Sequence, residues 1–80
     1  MGLKPIPLNK WKKWLKMRGL EYKRTEGHEI WDYPEGSEKS ILRPVTFRPS
    51  KKEVPGIHIH TNLKTLGVDY NIFLEEIKQL

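Results

Sequence analysis

Leu8, Trp11, Trp14 and Leu15 recur at the spacing of one helix face, and lysines fill the opposite side. That stripe constrains the fold more than any other feature, because little else in the chain can build a core. The sequence has 80 residues, of which 36% are hydrophobic, so the interior must be thin. The 10% that are aromatic, three of them Trp, are nevertheless too many for a chain that stays unfolded. The spacing predicts a helix over residues 9–18, with Asn9 capping its start and Gly19 at the left-handed position beyond its end. Trp11 and Trp14 are therefore expected in the core, where a helical apolar stripe ordinarily lies.

From Leu20 the period changes. Residues 20–25 and 28–33 alternate and carry aromatic and β-branched side chains, with Glu26-Gly27 between them as a tight turn. A third strand is expected from Leu42 to Arg48, delayed or confined to an edge by Pro44. If Trp31 and Tyr33 face the helices, parity sends His28, Ile30 and Asp32 to the other face. Likewise, inward Val45 and Phe47 imply outward Thr46 and Arg48, so that His28 and Arg48 share one open surface. Residues 50–56 read as a polar loop. Ile57 to His60 then leads into a short helix containing Leu63 and Leu66 and ending at Gly67. Asp69 caps a last helix whose apolar face is Ile72, Phe73, Leu74 and Ile77. The expected architecture is α+β: one domain over residues 1–80, a three-stranded antiparallel sheet in the order α-β-β-β-α, the second helical segment whole or split, and helices on one face only.

Fifteen Lys plus Arg against ten Asp plus Glu leave a formal charge of +5, concentrated in the first two thirds of the chain. Such a balance favours polyanions, because each neutralised phosphate releases counterions. The absence of cysteine excludes disulfide staples, Cys-based zinc sites and thiol catalysis. No apolar run reaches bilayer length, and the opening residues lack a signal-peptide core, which predicts a cytoplasmic protein. Glycine-rich phosphate loops, GxSxG elbows and a supported Ser-His-Asp triad are also missing.

Three histidines remain as reactive groups: His28, His58 and His60. Imidazole exchanges protons near neutral pH without a metal, which is what cleavage of RNA at a ribose 2′-hydroxyl requires. His28 stands at the mouth of the hairpin among cations and is the candidate catalytic group. Lys23, Arg24, Arg43 and Arg48 are candidate phosphate contacts, with Lys51 and Lys52 adding outer attraction. His58 and His60, two apart, would share a face if they lay on a strand. Zinc needs three or four ligands, however, and no acidic residue sits at a recognisable ligand spacing. No metal or other cofactor is expected. In the blander reading His58 packs beside the third strand and His60 caps or precedes the following helix.

The stretch Arg24-Thr25-Glu26-Gly27-His28-Glu29-Ile30-Trp31 resembles the glycine–histidine segment of HicA (YcfA-like) toxins. The run from Val54 to Val68, followed by Phe73-Leu74, looks like that family's second helical segment, and the likeness extends in order over nearly the whole chain. Where the family commonly has a small residue between glycine and histidine, this chain has Glu26-Gly27-His28. The resemblance implies a fold like the double-stranded-RNA-binding domain and a messenger-RNA endoribonuclease neutralised by a HicB-type antitoxin. It also puts His28 in the place of the catalytic histidine. A non-catalytic RNA-binding module on the same basic surface is the alternative expectation, and a domain that binds only protein is a third.

Overall fold

The computed structural model of the chain describes residues 4–48 and 52–80. Pro5 and Pro7 keep the opening extended, and Ile6–Pro7 forms a two-residue strand, β1. Helix α1 follows at once over Leu8–Met17. It starts one residue earlier than the sequence suggests, with Pro7 rather than Asn9 at the cap position and no side-chain cap. The reason lies across the chain. The Leu8 amide, an orphan of the first helical turn, donates to the Lys52 carbonyl at 2.9 Å. At the other end Gly19 takes φ +93°, and the Leu20 amide reaches back to the Leu15 carbonyl at 3.0 Å. That left-handed glycine stop is the one expected from the sequence.

The main sheet consists of β2 (Glu21–Glu26), β3 (His28–Asp32) and β4 (Val45–Phe47), antiparallel and in that order. Gly27 alone, at φ +75°, makes the β2–β3 reversal, and Glu26 pairs directly with His28. Glu26 thus belongs to the strand rather than to a two-residue turn. A bulge near Lys23 shifts the register between Tyr22 and Arg24. The third strand is shorter than its sequence pattern: it begins only after Pro44, and Leu42 is fully exposed. Parity holds as expected. Trp31, Val45 and Phe47 are buried under the helices, while His28 and Thr46 are exposed on the other face.

A second, two-stranded sheet pairs β1 with β5 (Glu53–Val54), setting Ile6 against Val54. Helix α2 spans Gly56–Leu66 and α3 spans Tyr70–Ile77, so of the two alternatives the second helical segment is the split one, broken at Gly67. The Asp69 carboxylate accepts from the Asn71 amide at 2.8 Å and caps α3. Of the expected apolar face of α3, Phe73 and Ile77 are buried, but Ile72 is half exposed. Among the described residues no helix is long and apolar enough to cross a membrane.

The core is an aromatic cluster. Trp11 stacks on Trp14 with ring centroids 5.4 Å apart, and both meet Phe73 edge-on. Trp11 also meets Phe47 of the sheet edge-on at 6.3 Å. Ile59 and Leu63 of α2 complete the interior from the side. Two carboxylates accept from indole N–H groups of this cluster, one buried and one at its margin. Glu29, almost fully buried, accepts from Trp31 Nε1 at 3.1 Å and pairs with Lys12 Nζ at 3.1 Å. Glu76 accepts from Trp14 Nε1 at 2.9 Å and holds Arg18 through both its oxygens, each at 2.9 Å, tying α3 to α1.

The Trp14 hydrogen bond, seconded by Arg18, holds the Glu76 carboxyl below the usual carboxylate range. A depressed folded-state pKa means that the ionised form is the one folding favours. The stabilisation is therefore complete above the unfolded carboxylate pKa and fades as pH falls through the folded value. Urea midpoints of wild type and Glu76→Gln should differ clearly at neutral pH and converge on acidification below the ordinary glutamate range. A gap that stays constant into acid would show that the charge of Glu76 is not what links α1 to α3.

Candidate active site

Register on the open side of the sheet fixes the neighbours of His28. Pairing of Glu29 with Phe47, Ile30 with Thr46 and Trp31 with Val45, continued by one residue, sets Arg48 across from His28. On the other flank His28 faces Glu26, and Arg24 lies opposite Ile30. His28, Arg24 and Arg48 are all exposed. One face of the sheet thus presents an imidazole flanked by Arg48 on one side and Glu26 on the other, with Arg24 diagonally beyond, engaged by Glu26.

Helix α2 packs along the free edge of β4. There the buried Asn62 side chain donates to the Thr46 carbonyl at 3.1 Å, satisfying a backbone group that, among the described residues, no fourth strand covers. This contact closes one side of a shallow groove of about 200 Å³ lined by His28, Thr46, Phe47, His58, Thr61 and Asn62. A second hollow of similar volume adjoins it, sharing Phe47 and His58 and adding Arg48, Glu53, Val54 and Pro55. The groove holds two imidazoles and the hydroxyls of Thr46 and Thr61, the latter donating to the Ile57 carbonyl, and the adjoining hollow adds the Arg48 guanidinium beside the Glu53 carboxylate. Such a set can move protons and hold a phosphate.

The other expected phosphate contacts are spread more widely. Lys23 is engaged by Glu21 at 2.7 Å and Arg24 by Glu26 at 3.2 Å. Both pairs lie at the surface, where such contacts are worth little and give way readily to a phosphate. Arg43 is exposed in the loop before β4. Lys52 lies beyond the groove, beside a hollow lined also by Pro5, Glu53, Pro55 and Gly56. Lys51 lies outside the described residues. The structure gathers His28 and Arg48 and puts Arg24 on the same face; it does not bring Arg43 or Lys52 to the groove.

The strand-like reading of residues 57–60 is overturned. Helix α2 already begins at Gly56, with the Ile59 amide bonded to the Pro55 carbonyl at 3.1 Å. Residues two apart on a helix diverge by roughly 200°, so His58 and His60 cannot share a face. His58 turns toward β4 and the groove, whereas His60, expected to cap or precede the helix, lies inside it and does not line the groove. Among the described residues no group of three or more carboxylate or imidazole side chains is placed to hold a metal ion. His58 is the groove residue least visible in the sequence. Its signal is the spacing of Ile59, Leu63 and Leu66, which turns His58 and Asn62 together to one flank.

Comparison of the chain with family models, with curated proteins and with solved structures finds no match to any of them.

Proposed function

We infer that this chain is a metal-independent RNA endonuclease of the toxin class, with His28 as its catalytic group. What supports the reading above all is that His28 stands exposed at the head of β3, lining a groove, with Arg48 across from it in the register and lining the adjoining hollow. An imidazole so placed can exchange a proton with a ribose 2′-hydroxyl, while guanidinium groups stabilise the crowded phosphate. Phosphate contacts dominate the affinity, so sequence preference is modest. The resemblance to HicA toxins adds the partner: an acidic HicB-type antitoxin that inhibits by covering the cationic open face. Its substrate is messenger RNA, and its compartment is the cytoplasm.

A transcript incubated with the purified protein at low salt, with and without a chelator, tests the reading. Fragments should appear in both lanes. Intact RNA retained in a salt-sensitive way would instead identify a non-catalytic RNA-binding module. RNA that neither binds nor breaks would favour a domain whose only partner is a protein.

A further inference from the structure

We propose that His58 is the second proton-transfer group of this site, an assignment that rests on the endonuclease reading of His28. Two histidines thirty positions apart in sequence line one groove, and each is positioned by a different part of the framework. His28 is fixed by the hairpin register against Glu26 and by the pairing of β3 with β4. His58 is fixed by α2, which the Asn62–Thr46 hydrogen bond locks to the edge of β4. The helical period puts His58, Thr61 and Asn62 on one flank, beside the buried face of α2, and that flank lines the groove, while His60 lies off it. Arg48 borders the adjoining hollow against the same His58.

Transesterification needs two proton transfers, one on each side of the phosphorus. One imidazole takes the 2′-hydroxyl proton as that oxygen bonds to phosphorus. As the bond from phosphorus to the 5′-oxygen breaks, the other imidazole delivers a proton to the departing oxygen. The products are a 2′,3′-cyclic phosphate and a 5′-hydroxyl. The histidines finish with protonation states exchanged, and solvent restores them. Arg48 neutralises the charge on the non-bridging oxygens. A single imidazole would have to serve both sides of the phosphate, whereas a groove walled by two does not ask that of either.

The test compares wild type with His58→Ala, His58→Gln and His60→Gln on one transcript across the neutral pH range. Both His58 variants should cleave about 100- to 10,000-fold more slowly and lose one limb of the bell-shaped rate profile. His60→Gln should match wild type. A dinucleotide with sulfur in place of the bridging 5′-oxygen has a leaving group that departs unprotonated. On that probe either the His28→Ala or the His58→Ala variant, whichever removes the acid, should recover most of its rate. His58 variants that cleave at the wild-type rate, or more slowly with both limbs intact, overturn the assignment while leaving His28 in place. Wild-type protein that cuts neither probe overturns the endonuclease reading itself.

Discussion

Replacing His28 with alanine should reduce RNA cleavage by about 100- to 10,000-fold, the range expected when a positioned proton-transfer group is removed. It should do so while leaving the fold intact. The side chain is exposed at the first residue of β3, away from the aromatic cluster, and surface substitutions of this kind usually change stability by no more than about 0.5 kcal/mol. RNA binding should also survive, because Arg24 and Arg48 remain on the same face and phosphate contacts carry most of the affinity. The separation of rate from binding is the informative result. A thermal melt, a filter-binding titration and a transcript gel on the same preparation measure all three quantities. If His28→Ala cleaved as fast as wild type, or arrested growth on expression, His28 would not be the catalytic group. If it lost binding and cleavage together, His28 would be an anchoring residue rather than one that transfers protons.

The parts of this site legible in the sequence are those governed by a strong period. Alternation through residues 28–33 and 45–48 assigns each side chain to a sheet face, and that parity alone sends His28 and Arg48 to one surface. The helical stripe of Trp11, Trp14 and Leu15 is equally plain, since large side chains at that spacing have little choice but the core. What escaped was set by contacts between distant segments. β1 and β5 have two residues each, too few to show a period, and they exist because Ile6 and Val54 meet across the molecule. Asn9 looked like a cap because it is the residue type that usually serves. The helix start was decided instead by a carbonyl 44 positions away, at Lys52. Glu29 shares the inward parity of Trp31, so its burial could have been read, but its partner Lys12 belongs to another element. His58 was obscured because Ile57-His58-Ile59-His60 alternates like a strand, while burial follows the helical series Gly56, Ile59 and Leu63.

The largest stability effect should come from Trp11→Ala, at about 3–5 kcal/mol. Domains of this kind are stabilised by only about 5–15 kcal/mol in total, so this variant should lose a large share of its stability and melt at a markedly lower temperature. Trp11 is fully buried and touches Trp14, Phe47 and Phe73, so its removal opens the interior between both helical segments and the sheet. Substitution by phenylalanine separates the two stacked tryptophans. Among the described residues the buried Nε1 group of Trp11 has no hydrogen-bond partner, whereas that of Trp14 donates to Glu76. Trp11→Phe loses ring contacts but also removes an unsatisfied donor, whose burial costs about 1–3 kcal/mol, and the two effects oppose each other. Trp14→Phe loses a comparable volume and in addition takes away the hydrogen bond that contributes most to keeping Glu76 ionised. Urea titrations should therefore rank Trp14→Phe as the more destabilised, although both rings are equally buried. The reverse order would mean that ring volume alone decides the core and that the indole–carboxylate contact contributes little. Function follows the same path. Phe47 meets Trp11 on one side and lines the groove beside His28 and His58 on the other, so loosening the aromatic cluster should blunt cleavage before the chain unfolds.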